Sequence, residues 1–480
     1  MSPDSTESTG STAADPDTRD STSPVDVSPP RGQGKGSGSD DGQSSVAAPV
    51  TRSHQIETIC IVGLGYVGLP LACEFDRQGY DVVGYDVDPE KVATLESGVD
   101  PTGDVGDEVL VDGTATFTTE PAVVGDADLV ILAVPTPIDD QNTPNLTYVE
   151  AAGETIGIHL QPGATVVLES TVYPGATREI LIPALERTSG LTAGEDFGVG
   201  YSPERLVPGD PDHGLRDVVK IVSGLTAETR DELARVYKSI VDAGVHRAPT
   251  IETAETAKCV ENVQRDLNIA LVNELAIACS HLGIDSRAVL EAAGTKWNFH
   301  HYRPGLVGGH CIPVDPFYLI YESEQNGFSP ELIQKGREVN EYVPKHVAEL
   351  TIKALNSCRK VLSESRVLVC GLTYKPNVED LRTSLIGDVI DGLTEYDIDV
   401  VGYDPHADAE AAAAKFGIQI QQERSCSGFD GLVIGTAHDE FSTVNFDAAA
   451  DQMNDDPVLV DVDGTFENQA TAAGFTYRRL

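Results

Sequence analysis

Basic residues are what this chain most conspicuously lacks. Lysine and arginine together number 33 against 77 aspartates and glutamates, a formal net charge of −44. Non-specific binding to nucleic acid or anionic lipid depends on Lys and Arg contacts to phosphate, and a balance this negative excludes both. The acid excess runs along the whole chain, which points to a protein kept soluble by self-repulsion in a salt-adapted, halophilic cytoplasm. Close cysteine pairs are also missing. The 8 cysteines (Cys60, Cys73, Cys259, Cys279, Cys311, Cys358, Cys370 and Cys426) are scattered over 480 residues, so neither a disulfide framework nor a zinc-ligand spacing is present and no metal is expected. No apolar run approaches the ~18–20 residues needed to span a bilayer.

What remains is ample for folded domains. A 40% hydrophobic content excludes wholesale disorder, and at roughly 100–200 residues per domain the length predicts about two to four domains. Residues 1–54 are Ser, Thr, Asp, Gly and Pro with almost nothing to bury, and are expected to form a disordered acidic and polar tail. That tail has no apolar h-region and few arginines, which argues against a secretory or transit peptide and for a cytoplasmic protein.

From Thr58 to Val62 the chain is nearly continuous apolar residue, the mark of a strand buried on both faces. A glycine loop, a helical stretch from Leu69 to Gln78 and a second strand, Asp81 to Tyr85, follow it. Further apolar runs at Leu129–Val134, Thr165–Leu168 and Val218–Val222 keep the alternation, which argues for a parallel doubly wound sheet. From Glu252 to Leu282 there is no Pro or Gly, so one helix of roughly 30 residues is predicted, long enough to bridge two domains. Strand–helix rhythm resumes at Arg366–Cys370, Ile398–Tyr403, Gly431–Gly435 and Pro457–Val462. The expected architecture is α/β: two Rossmann-like doubly wound parallel-sheet domains, 55–248 and 360–480, joined by a helical central domain, 249–350.

Gly63-Leu64-Gly65-Tyr66-Val67-Gly68 directly follows the first strand and opens a helix, and Asp86 ends the next strand 18 residues past Gly68. In that setting G-x-G-x-x-G has a mechanical meaning. Gly63 permits the tight turn, Gly65 admits a pyrophosphate against the backbone, and Gly68 packs helix on strand. The helix N-terminus offers free N–H groups to the phosphates. Asp86 can accept from ribose hydroxyls and would repel an added phosphate, so NAD is the expected cofactor.

A second dense stretch runs Pro304-Gly305-Leu306-Val307-Gly308-Gly309-His310-Cys311-Ile312-Pro313-Val314-Asp315-Pro316. Its glycines let the backbone approach a ligand and present Cys311, whose thiol can add to a carbonyl if the thiolate is favoured. His310 is adjacent but loop neighbours often diverge. Asp315 serves either to orient a water or to cap the loop. In the long helix Lys258, Asn262 and Arg265 are spaced i, i+4, i+7 on one face, suited to an anionic substrate or a developing oxyanion.

Taken with Val134-Pro135-Thr136-Pro137, Glu169-Ser170-Thr171 and Ser202-Pro203-Glu204-Arg205, these stretches resemble the nucleotide-sugar 6-dehydrogenases of the UDP-glucose/GDP-mannose dehydrogenase superfamily. Tyr173-Pro174-Gly175, Pro208-Gly209 and His310-Cys311-Ile312-Pro313-Val314-Asp315 look closest to the UDP-N-acetylmannosamine and UDP-N-acetylglucosamine branch. UDP-glucose enzymes typically carry Leu-Pro-Lys-Asp after the cysteine, and Val314 stands where that lysine would be. Thr295-Lys296-Trp297 departs from relatives that place an arginine there to reach a neighbouring site.

The resemblance implies oxidation of a sugar C6 alcohol to a carboxylate with two NAD in succession, the intermediate aldehyde held on Cys311 as a thiohemiacetal and then a thioester. UDP-N-acetyl-D-mannosamine is the favoured substrate, with UDP-N-acetylglucosamine or UDP-glucose as alternatives. It implies that Lys258 and Asn262 stabilise the oxyanion and that Asp315 and Glu204 handle protons and water. Tyr66, Val67, Asp86, Lys91, Thr136, Thr171 and Arg382 would line the NAD site. Arg205, Leu206, Lys258, Asn262, Arg265, Gly308 and Lys375 would line the UDP-sugar site. A homodimer built on the long helix is implied as well. Two readings of other classes compete: a single-step NAD hydroxy-acid dehydrogenase, which needs no thiol, and an inactive nucleotide-sugar sensor, which has no reason to keep Cys311, Lys258 and Asp315 together.

Overall fold

A computed structural model describes residues 55–139, 141–205 and 214–480. The tail expected at residues 1–54 and the substrate contact expected of Leu206 lie outside the described residues.

The first strand, β1 (Thr58–Val62), is buried on both faces as its apolar run requires. It sits in an eight-stranded sheet with β2 (Asp81–Tyr85), β3 (Thr116–Thr118), β4 (Leu129–Leu132), β5 (Thr165–Leu168), β6 (Gly198–Tyr201), β7 (Lys220–Gly224) and β8 (Val245–Arg247). Their order is β3-β2-β1-β4-β5-β6-β7-β8, and the strands from β3 to β6 are parallel. One strand departs from the parallel expectation: β7 runs antiparallel to β6, with Tyr201 opposite Ser223. The physical reason is the connection. Parallel neighbours need a crossover, usually a helix, and between β6 and β7 the sequence carries Pro203, Pro208, Gly209, Pro211 and Gly214, which disfavour one. The antiparallel return places the start of β7, Lys220, at the carboxyl edge of the sheet.

A six-stranded sheet follows, built from β9 (Arg366–Cys370), β10 (Asp399–Tyr403), β11 (Gln419–Ile420), β12 (Gly431–Ile434), β13 (Val458–Asp461) and β14 (Thr476–Arg479). Its order, β11-β10-β9-β12-β13-β14, is the doubly wound one and every pair is parallel. The two sheets share a turn. Gly63 (φ +95°) donates its N–H to Tyr85 O at 2.9 Å, and Gly371 (φ +79°) donates to Tyr403 O at 2.9 Å. Leu64 N–H then bonds the Asp86 carboxylate at 2.8 Å, as Leu372 N–H bonds Asp404 at 2.6 Å. In the second sheet the crevice beside that aspartate is filled, because buried His438 bonds Asp404 at 3.0 Å.

The long helix spans Ile251–Leu282, 32 residues. The Thr250 hydroxyl caps it by accepting from Thr253 N–H, and Gly283 in the left-handed conformation (φ +69°) ends it. Its beginning belongs to the first domain's core, where Ile251, Ala254 and Cys259 pack with Val62, Leu132 and Leu168. Its middle packs on the helix Glu331–Ser357, at Gly336 so closely that a Cβ would come 2.4 Å from Leu267. Val343, Val347 and Leu355 of that second helix enter the core of the C-terminal sheet with Val367 and Val458. The helix pair therefore bridges the two sheets, as its length predicts. Among the described residues no helix is long and apolar enough to cross a membrane.

Candidate active site

The loop after β1 is shaped by three glycines with separate duties. A Cβ on Gly63 would lie 2.4 Å from Ala133 O, and one on Gly68 would lie 1.8 Å from Gly63 O, so neither position admits a side chain. Gly65 has open space where its Cβ would point, the cradle a pyrophosphate needs. Asp86 is buried, and although burial raises its carboxyl, the Lys91 ammonium at 2.8 Å and the N–H groups of Leu64 and Asp88 outweigh that and hold it low. The site thus keeps an ionised acceptor just past the end of β2, and the residues present fit a dinucleotide. Tyr66 stands exposed above the loop, next to Arg382.

The thiol loop is held from both sides. A Cβ on Gly308 would meet Thr383 O at 2.7 Å, and Gly309 (φ +98°) lies against Tyr374, so the glycines let the C-terminal domain close onto this loop. The Cys311 carbonyl accepts from Val314 N–H at 3.1 Å and Asp315 N–H at 2.8 Å, starting the turn that becomes the helix Asp315–Gln325. Cys311 is the one exposed cysteine of the chain. Its thiol is nevertheless crowded. Desolvation and then the Asp315 carboxylate push it above its ordinary range, while the ammonium groups of Lys258 and Lys375 pull it down.

Behind the thiol lies a compact group from the long helix. Asn262 donates to Asp315 Oδ2 at 2.5 Å, and burial pushes the Asp315 carboxyl up to about 6 against the pull of Lys258 and Asn262. Lys258 is buried and acts on both Asp315 and Cys311. Cys311, Lys258, Asn262 and Asp315 are therefore brought together, as expected. Arg265 is not: it is exposed, although Val263 and Asp266 on the same stretch of helix are buried. His310 does not serve the thiol either, for its Nε2 pairs with Asp380 at 3.0 Å. Asp380 also receives two bonds from Arg382 and is held well below the usual carboxylate range.

Ser202 to Arg205 forms a further wall. The Arg205 guanidinium pairs with Glu261 at 2.7 Å, and the Arg205 backbone N–H donates to Glu204 Oε1 at 2.5 Å. Lys220 reaches Glu204 at 3.4 Å and Glu169 at 2.7 Å. Thr136 and Thr171 come close through their own loops: Ser170 donates to Val134 O at 2.6 Å, and the Tyr318 hydroxyl donates to Thr136 O.

Several side chains that build the site carry no role in the sequence reading. Glu255, fully buried, accepts from Gly175 N–H at 2.6 Å and Thr177 N–H at 2.9 Å and ties the turn after Thr171 to the long helix. Tyr318 links the helix Asp315–Gln325 to the Thr136 loop. Lys220, Glu169 and Tyr237 form a buried group behind Glu204. A signal for Lys220 exists: a lysine, in a chain poor in them, inside the apolar run Val218-Val219-Lys220-Ile221-Val222. The cluster His406, His438 and Glu440 has donor atoms within 4.8 Å of one another. His438 Nδ1, however, accepts from Asn377 N–H at 3.0 Å, so its Nε2 carries the proton given to Asp404 and is no metal ligand.

Comparison with known proteins gives three adjoining family matches. Residues 57–241 match the UDP-glucose/GDP-mannose dehydrogenase family, NAD binding domain; 252–342 match its central domain; 368–468 match its UDP binding domain. The UDP-N-acetyl-D-glucosamine 6-dehydrogenase of Pseudomonas aeruginosa is 45% identical over 387 residues, 80% of this chain and 92% of that one. The UDP-N-acetyl-D-mannosamine dehydrogenase of Pyrococcus horikoshii is 33% identical over 428 residues, 88% and 98% of the two chains, and the solved structure from that organism aligns with a TM-score of 0.79 at 31% identity, over 88% and 98%. A UDP-glucose dehydrogenase structure from Pyrobaculum islandicum aligns with a TM-score of 0.77 at 28% identity, over 90% and 100%.

Proposed function

We propose that this chain, which belongs to the UDP-glucose/GDP-mannose dehydrogenase family, oxidises the C6 alcohol of a UDP-N-acetylhexosamine to the carboxylate with two NAD. The observation that carries this reading is the grouping of Cys311, the one exposed thiol, with Lys258, Asn262 and Asp315. Bound NAD supplies the hydride acceptor. Lys258 stabilises the alkoxide of the first oxidation and the oxyanion of the second, with Asn262 assisting. Cys311 captures the aldehyde as a thiohemiacetal, which stops its escape and hydration, and becomes the acyl carrier as a thioester. Asp315, whose carboxyl is pushed up to about 6 by burial, and Glu204 move protons, and Thr171 positions the hydrolytic water. Gly63, Gly65, Tyr66, Val67, Gly68, Asp86, Lys91, Thr136 and Arg382 hold NAD; Arg205, Leu206, Arg265, Gly308 and Lys375 hold the UDP-sugar.

UDP-N-acetyl-D-mannosamine is the first reading, supported by similarity to the UDP-N-acetyl-D-mannosamine dehydrogenase of Pyrococcus horikoshii in sequence and structure. UDP-N-acetyl-D-glucosamine is the second reading, supported by 45% identity to a relative of that name against 33% for the mannosamine one. Side-by-side assays with UDP-N-acetylmannosamine, UDP-N-acetylglucosamine and UDP-glucose test the assignment. Two NADH per sugar are expected from one N-acetylhexosamine. One NADH per substrate would favour a single-step dehydrogenase, and none a sensor.

The domain division 1–54, 55–248, 249–350 and 360–480 belongs to the same proposal, supported by the two separate sheets and the bridging helices. So does a cytoplasmic, salt-adapted enzyme. With a net charge of −44, repulsion loosens the fold until salt screens it within ~10 Å at 0.1 M, so Tm is expected to rise from low to molar salt. An unchanged Tm would refute the halophilic reading. A homodimer is supported by the far end of the long helix. Leu271, Leu275 and Leu282 there are 56%, 39% and 72% exposed, an apolar stripe at helical spacing. Light scattering in molar salt should give twice the chain mass, and 51.0 kDa would contradict it.

A further inference from the structure

The antiparallel return of β7 buries a lysine at the carboxyl edge of the first sheet, next to the wall that carries Glu204. Lys220 is 2% exposed, and its ammonium lies between two carboxylates, Glu169 Oε2 at 2.7 Å and Glu204 Oε2 at 3.4 Å. Glu169 is fully buried at the end of β5, and its second oxygen accepts from the hydroxyl of buried Tyr237, at the end of the helix Ala227–Tyr237. Glu204 in turn has its other oxygen pinned by Arg205 N–H at 2.5 Å. The carboxylate is thus gripped at both oxygens. From there the contacts continue through the Arg205–Glu261 pair to Asn262, the neighbour of Glu261 in sequence and the partner of Asp315.

A buried ion pair is weak evidence of stabilisation, since apolar residues of similar volume often do as well. What such a group does supply is direction. We propose that Lys220 is a positioning residue: its ammonium, held in the core by Glu169 and Tyr237, fixes the orientation and the charge of Glu204 at the substrate face. This rests on the reading of Glu204 as a proton-handling group.

The charge count supports it. One ammonium faces two carboxylates, so a proton is readily shared among them. Burial pushes the Glu169 carboxyl up to about 7, against Lys220 and Tyr237 and with the like charge of Glu204. Tyr237 from its helix, Lys220 from β7, Tyr201 from β6 and, beyond Tyr201, Glu255 and Asp315 are the titratable groups around the pair. At neutral pH the network holds charge in a balance that either partner of Lys220 can tip.

Two variants tip it in opposite directions. Glu169→Gln keeps the volume, its oxygen still accepting from Lys220 and its amide N–H donating to the Tyr237 hydroxyl, but leaves the charge of Lys220 wholly to Glu204, which favours its carboxylate. The acid limb of the kcat–pH profile is expected to move down by about one unit. Lys220→Met leaves two carboxylates facing each other without a cation, and the limb is expected to move up by a similar amount. KM for NAD stays unchanged in both, and the double variant returns the limb towards its original position. Limbs unmoved, or moved together, would overturn the proposal. Glu204→Gln separates it from its premise: kcat is expected to fall about 10²-fold, and in that background Glu169→Gln no longer moves the limb, which Cys311 and Asp315 then set alone. An unchanged kcat would overturn the reading of Glu204 and this inference together. A fallen kcat, with the limb static in the Glu169 and Lys220 variants, would overturn this inference alone. If Lys220→Met does not fold, Glu169→Gln decides.

Discussion

Cys311→Ser is expected to keep the fold and NAD binding and to abolish uronic acid production. Cys311 is exposed and sits in a loop whose turn is made by backbone bonds, its own carbonyl accepting from Val314 and Asp315. A hydroxyl in place of the thiol disturbs none of these. Its chemistry is another matter. A serine hydroxyl at neutral pH is a far weaker nucleophile than a thiol that is a few per cent ionised. Here desolvation and then Asp315 push the thiol up while Lys258 and Lys375 pull it down, so the thiolate depends on those two ammonium groups, and a serine hydroxyl, far less acidic, cannot be ionised by them. Turnover should stop at or after the first oxidation, and any ester formed would hydrolyse more slowly than a thioester. Intact-protein mass spectrometry then shows a covalent sugar adduct. Near-normal uronate from the variant would reduce Cys311 to one more free thiol, like buried Cys279.

Lys258→Ala is expected to lower kcat by on the order of 10²–10³, the typical loss when one oxyanion donor is removed. The sign of its pH effect follows from its neighbours. Lys258 lowers both the Cys311 thiol and the Asp315 carboxyl, so its removal raises both. The pH of half-maximal rate should therefore move up, because a higher pH is then needed to ionise either group. The fold is expected to survive, since Asp315, already raised to about 6, takes up a proton instead of remaining a buried uncompensated charge. A variant with unchanged kcat and pH profile would remove Lys258 from the chemistry.

How far these residues could be read without coordinates depends on how local their signals are. The loop Gly63–Gly68 is local: three glycines, a preceding apolar strand and Asp86 are all in one βαβ unit, and each behaves as its spacing requires. The helix Ile251–Leu282 is local too, because the absence of Pro and Gly over its length leaves no place to end it before Gly283. Lys258 and Asn262 share a face by helical spacing, but spacing says nothing about what covers that face one turn further on. Arg265, at i+7, is exposed while the next residue, Asp266, is buried. His310 illustrates the same limit. Its partner is Asp380, 70 residues away in the other domain, and no neighbour in sequence announces it.

The sequence alone determined the α/β fold with its long central helix, the glycine loop after the first strand, and the shared helix face of Lys258 and Asn262, because each depends on periodicity, on a backbone conformation that only glycine adopts, or on residues within a few turns of one another. Tertiary structure alone decided the direction of β7, the closing of the C-terminal domain on Gly308, the tie from Glu255 to Gly175, and the sharing of Lys220 between Glu169 and Glu204. These contacts join residues that are 16 to 80 positions apart. The free energy that selects them lies in the satisfaction of buried charges and backbone groups, which has no periodic trace along the chain.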